Sequence, residues 1–196
     1  MLKTLALLAI AACMVMAAGT SAFAQNVPLN NGNAQKQQSM NDLNRADKLF
    51  LKALAPSNEA DIQVSQLAVQ KSNNSQVKQL AAKILQGDQA IQSKVSNMAA
   101  KNAVSLPSAL DTPDVHLKTG LMTASRNPAM FNQAYLQAML IKFLDTVTMF
   151  QLEAAQTNNR AVLMFTQSEL PNLQKRLDQI ESVSQKLPPA TTAMLK

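Results

Sequence analysis

Asp88 stands where the pattern of the chain asks for an apolar residue. Between Ser75 and Ala100, Val77, Leu80, Ala81, Ile84, Leu85, Ile91, Val95, Met98 and Ala99 recur at spacings of three and four. That rhythm paints one stripe along an amphipathic helix, and Asp88 falls on it between Ile84 and Ile91. An acid on a core face is strongly destabilising unless it is paired or protonated. The last apolar stretch repeats the feature. Glu169 and Arg176 lie seven apart on or beside the stripe of Val162, Phe165, Leu170, Leu173, Leu177, Ile180 and Val183. The chemistry open to such residues is charge pairing and the holding of a proton.

Other chemistries find few residues. There is one cysteine, Cys13, and one histidine, His116. A lone histidine on a short polar helix reads as a surface residue, because single ligands rarely make a site. A di-iron carboxylate centre needs Glu-x-x-His on two helices, and none of Glu59, Glu153, Glu169 and Glu181 has a histidine three residues later. Ser93 and Lys94 are neighbours and do not make a Ser-x-x-Lys motif. No catalytic constellation and no cofactor site is expected, and the chain reads as a non-enzyme. Met98, Met122, Met130, Met139, Met149 and Met164 read as adaptable core filler.

The N-terminus reads as an address. Lys3 precedes an uncharged apolar run from Leu5 to Ala18, and Ala22-Phe23-Ala24 matches a small-x-small cleavage pattern. Residues 1–24 are therefore expected to be a signal peptide cut before Gln25, giving a periplasmic or secreted protein with no transmembrane helix in the mature chain. The alternative is a lipoprotein anchored through Cys13, since Ile10-Ala11-Ala12-Cys13 resembles a lipobox. Cleavage removes one lysine from a formal charge of +6 and leaves no thiol. The remaining basic residues are scattered singly without aromatic platforms, which argues against nucleic acid as a partner.

Behind these residues stand helices. The chain has 196 residues, 47% of them apolar, with 4 glycines and 4% aromatics. That balance disfavours sheets and their turns. Residues 25–40, rich in Asn, Gln and Ser, read as a disordered leader. The domain is expected over 41–187, opening with a cap at Asn41-Asp42, and 188–196 form a tail. The first helix carries Leu43, Leu49, Phe50 and Leu54, is interrupted at Pro56, and resumes from a cap at Ser57 or Asn58 toward Val64, Leu67 and Ala68. Asn73-Asn74-Ser75 turns the chain back. Asp111-Thr112-Pro113 opens a short helix to about Ala124, and Asn127-Pro128 opens a long one to about Gln156. Asn158-Asn159 makes another turn, and Pro171 is expected to kink or restart the last helix. Four main helices, two of them broken by proline, and a short crossover helix between the second and third describe an all-α, ferritin-like antiparallel four-helix bundle.

Short motifs in this order resemble one family. Asp47-x-x-Phe50-Leu51, Asn73-x-x-x-Val77-Lys78, Phe131-x-x-x-Tyr135-Leu136-x-Ala138-Met139 and Leu170-Pro171-x-Leu173 are similar to the secreted bacterial family called domain of unknown function 4142. Its members are often labelled predicted outer-membrane or periplasmic proteins and are grouped with ferritin-like bundles. The resemblance covers residues 42–187. It implies an acid at Asp61, an Asp-His pair at Gly87 and Asp88, a second histidine at Phe143, a glutamate at Glu153 and a last histidine at Arg176. All three histidine positions hold something else here. Transition-metal binding is therefore not expected, and Asp61, Asp88 and Glu153 are left as candidates for an oxygen-only site for a hard cation.

Two of those positions are expected to have become an ion pair, Asp88 with Arg176, with Phe143 filling the third. A guanidinium can bind a carboxylate through two hydrogen bonds, which would keep Asp88 ionised. Glu169 is the expected competitor for Arg176. The functional expectation is a bundle that binds a partner or ligand in the envelope or protects it under stress. The alternative is a ferritin-like protein holding a metal on oxygen ligands.

Overall fold

A computed structural model describes residues 42–187; the expected signal peptide, most of the leader and the tail lie outside the described residues. Those residues form five helices and no strand: α1 (Arg45–Lys71), α2 (Ser75–Lys101), α3 (Thr112–Ala124), α4 (Pro128–Gln156) and α5 (Arg160–Lys186). The all-α expectation therefore holds. None of these helices is long and apolar enough to cross a membrane.

Asparagine begins most of them. Asn74, Asn127 and Asn159 each accept hydrogen bonds from two backbone amides of the following turn, satisfying donors that a helix start leaves open. The first helix is capped three residues later than the sequence predicts. Asn44 accepts from the Asp47 amide, and Asp47 Oδ2 accepts from the Asn44 amide at 2.8 Å, a reciprocal box; Asn41, expected in the cap, lies outside the described residues.

Both helices run on through their prolines, α1 without the interruption the sequence predicts at Pro56 and α5 without a restart at Pro171. α1 runs through Pro56 because apolar residues on both sides, Phe50, Leu51 and Leu54 before it and Ala60, Val64 and Ala68 after it, are buried in the same core. Tertiary burial of one continuous face outweighs the local penalty of a missing donor. Pro171 lies on the exposed side of α5 beside Gln167, where water can reach the carbonyl it leaves unpaired. Asn58, expected as a cap, is instead buried and donates its side-chain amide to the Asp88 carbonyl oxygen (2.8 Å) and to Gln92 Oε1 (3.0 Å).

Cross-helix contacts fix the directions. Phe50 meets Phe150, Lys142 reaches Ser57 and Asp61, and Ser65 meets Tyr135, so α1 and α4 run antiparallel. Asp88 meets Arg176 and Lys94 meets Glu169, so α2 and α5 do too. At one end, Phe50, Phe150 and Phe165 form a ring cluster with centroids 5.3–6.3 Å apart that ties α1, α4 and α5 together. α3 packs on α1 and α4. The methionines divide: Met139 is fully buried, whereas Met122, Met130 and Met164 are exposed and are not core filler.

A charged cluster inside the bundle is the candidate functional site

All five helices contribute a charged side chain to one cluster in the bundle. Arg176 Nη1 of α5 donates to Asp88 Oδ1 of α2 at 2.8 Å, with the aspartate fully buried and the arginine nearly so. On the neighbouring side, Lys142 Nζ of α4 lies 3.2 Å from Asp61 Oδ1 of α1 and 2.7 Å from Asp114 Oδ1 of α3, and donates to Ser57 Oγ. Tyr135 stacks on Phe131 and shares a 3.0 Å hydrogen bond with Ser65, close enough to Asp61 and Asp88 to feel both charges.

The guanidinium is seated on Gly87. A methyl group added at Gly87 would stand 2.2 Å from Arg176 Nη2 and 2.3 Å from Cζ. A glycine within a helix normally weakens it by about 1 kcal/mol relative to alanine, and here the missing side chain is what lets Arg176 lie across α2 to Asp88. Gly87→Ala should therefore destabilise the protein, against the usual sign, while the same change in an Arg176→Met background should stabilise it by about 1 kcal/mol. Chemical denaturation of the four proteins measures this, and equal effects in both backgrounds would contradict the seating.

The pairing is single rather than two-pronged. Asp88 Oδ2 and Asp61 Oδ1 are buried without a hydrogen bond, although Asp61 Oδ1 lies within ion-pair distance of Lys142. Three carboxyls, Asp61, Asp88 and Asp114, meet two cations, Lys142 and Arg176. Burial pushes the Asp61 carboxyl up to about 7 against the pull of Lys142. Burial and then the Asp61 charge push Asp88 well above the usual carboxylate range, with Arg176 and Lys142 opposing. Arg176 opposes the shift without cancelling it, so the expected ion pair is formed but the Asp88 carboxyl still lies above its ordinary range. Each of the two carboxyls raises the other's affinity for protons, and their titration belongs to the pair.

Glu169 does not compete for Arg176. It pairs with Lys94 across the α2–α5 seam, one to two turns away. Glu153 does not join Asp61 and Asp88. It lies on α4 about 16 Å of helix rise beyond Lys142, where it accepts from Gln156 at 3.0 Å and neighbours Asp47, itself bonded by Thr157 at 2.6 Å. Burial and the neighbouring Asp47 carboxyl push Glu153 up to about 7. The three expected oxygen ligands therefore do not make one site, and no group of three His, Cys, Asp or Glu among the described residues could hold a metal ion. Phe143 is buried in the core, and His116 is exposed.

Lys142, Asp114, Lys94 and Asp47 are participants that the sequence reading does not single out. Lys142 carries the most readable signal, since it sits three residues after Met139 and four before Thr146, on the inward side of α4.

The geometry gives a pH dependence. Asp61 and Glu153 have ordinary values of 3.8 and 4.5 and are raised to about 7 on folding. The folded state then binds protons more tightly than the unfolded one. Their contribution to stability is complete below about pH 4 and is lost as pH rises through about 7. Asp61→Asn and Glu153→Gln should each flatten the fall in stability between pH 5 and pH 8, which denaturation curves across that range measure. A wild-type stability that rises over the same interval would contradict the assignment.

Residues 32–183, most of the chain, match the family described as domain of unknown function (DUF4142). The chain belongs to that family. No curated protein and no solved structure matches it. Within this DUF4142 domain, the helix positions that the resemblance marks for histidine hold a buried aspartate, a buried phenylalanine and an arginine. The first and last of them are in direct contact.

Proposed function

We propose that this DUF4142 protein is an exported, non-enzymatic bundle of the ferritin-like four-helix kind, serving in the cell envelope as a binding or protective component. The architecture rests on direction: α1 is antiparallel to α4 and α2 to α5, and the short turn at residues 72–74 makes α1 and α2 a hairpin. α2 and α4 then point the same way, and α3 with the segment before it serves as the crossover that joins them. Export rests on Lys3, the apolar run to Ala18 and Ala22-Phe23-Ala24.

The observation that carries the non-enzymatic reading is the Arg176–Asp88 contact over Gly87. Where a ligand-holding bundle would keep its acids for a bound cation, this one pairs Asp61 and Asp88 with its own Lys142 and Arg176. Four surface depressions of about 220–430 Å³ are lined by other residues and do not reach Asp61, Asp88 or Arg176. A second reading, a hard cation on Asp61 and Asp88, has two unbonded oxygens in its favour and two cationic side chains against it. Elemental analysis of protein recovered without a tag, together with its N-terminal mass, tests the proposal. A metal-free protein beginning at Gln25 is expected; one equivalent of tightly held metal, or a lipid on Cys13, would overturn the corresponding part.

A further inference from the structure

Among the described residues five acids are buried, and three of them have a cation of their own. Asp61 has Lys142, Asp88 has Arg176 and Glu169 has Lys94, whereas Asp47 and Glu153 have none. Asp47 is answered in other ways. Its Oδ1 accepts from Thr157 at 2.6 Å, and its Oδ2 accepts from the Asn44 amide at the positive start of α1. Glu153, beside it, is 2% exposed; Oε2 accepts from Gln156, and Oε1 accepts no hydrogen bond. It sits in the last turn of α4, where unpaired carbonyls carry negative charge and favour a cation. α1, α2 and α5 each place a lysine in that turn, Lys71, Lys101 and Lys186, but α4 places no basic residue there. A buried carboxyl so placed is strongly unfavourable when it is ionised and uncompensated.

The missing cation can come from outside, because Glu153 lines a groove of about 320 Å³ between α1 and α4. Glu153 and Gln156 stand toward one end of it, and Ala53 and Met149 toward the other, about 10 Å of helix rise away. Phe50 and Glu153 are its buried floor, and Leu49 and Leu152, 56% and 62% exposed, are its apolar rim. The volume falls at the small end of the roughly 300–1,000 Å³ of ligand clefts. We propose that this groove binds a small primary alkylamine, its ammonium on the Glu153 carboxylate and its chain along Leu49, Phe50, Met149 and Leu152. The ammonium supplies the donor that Oε1 lacks, in a charge-assisted hydrogen bond. The chain takes the exposed leucines out of water. A bare metal ion fits less well, since no group of three His, Cys, Asp or Glu among the described residues could hold one, and it would leave the apolar rim uncovered. This site goes beyond the envelope role proposed above and uses no residue of the Asp88 cluster.

Titration calorimetry of the purified protein at pH 8, above the value of about 7 to which Glu153 is raised, tests this. The amine n-octylamine should bind saturably at one site, and n-octanol, with the same chain and no charge, roughly tenfold or more weakly. Glu153→Gln should weaken the amine by roughly tenfold or more, with helical content kept. Leu152→Ser, at an exposed position outside the core, should weaken amine and alcohol alike. The absence of saturable binding, n-octanol binding as tightly as the amine, or an amine affinity unchanged by Glu153→Gln would overturn the proposal. So would displacement of the amine by one equivalent of Mg²⁺, which would make the acid pair a metal site instead.

Discussion

Arg176→Met should lower the stability of the protein by about 3–5 kcal/mol near pH 8, because it strands a buried carboxylate that has no other donor. Asp88 Oδ1 accepts a hydrogen bond from Arg176, and Oδ2 accepts none. Methionine matches the length of the arginine stem, so the loss reports charge rather than volume. The deficit should shrink between pH 8 and pH 5, because burial favours the protonated form of Asp88, which no longer needs a cation. Adding Asp88→Leu should return most of the stability, since an apolar pair of similar volume replaces a buried ion pair at little net cost. Equilibrium unfolding in urea at both pH values measures all of these.

The second large effect belongs to Lys142. This one ammonium serves Asp61 on α1 and Asp114 on α3, and it also donates to Ser57. Lys142→Met should destabilise by about 3–5 kcal/mol near pH 8, and it should release α3 in particular, because the Asp114 contact ties that helix to α4. Its pH signature is steeper than that of the wild type. Without the lysine, Asp61 rises further above its ordinary 3.8, so more of the protein's stability is confined to low pH. Asp61→Asn in the same chain should recover part of the loss. Hydrogen exchange of the α3 amides, compared with those of α2, separates local release from global unfolding.

How much of this could be read from the sequence depends on how far each signal reaches along the chain. The helices of 75–101 and 128–156 declare themselves through stripes and Asn caps, both of which act within one or two turns. The prolines misdirect for the same reason. Their penalty is local, whereas the burial that carries α1 through Pro56 comes from residues on helices far away in sequence. Asp88 and Arg176 stand out because each interrupts an apolar stripe. Lys142 hides, since a lysine at the edge of a stripe is expected to extend its ammonium to water, and only the acids of α1 and α3 draw it inward. The link from Asp47 to Thr157 spans 110 residues and has no signature in either neighbourhood.

The central claim is that two positions the resemblance marks for histidine are joined to each other as the Asp88–Arg176 pair. A double-mutant cycle of Asp88→Leu and Arg176→Met, read by urea denaturation near pH 8, tests it most directly. The account predicts that the two substitutions are strongly non-additive, with each single change more damaging than the pair and a coupling above about 1.5 kcal/mol. Additive losses, within about 0.5 kcal/mol, would show that the two side chains do not depend on one another and would contradict the account.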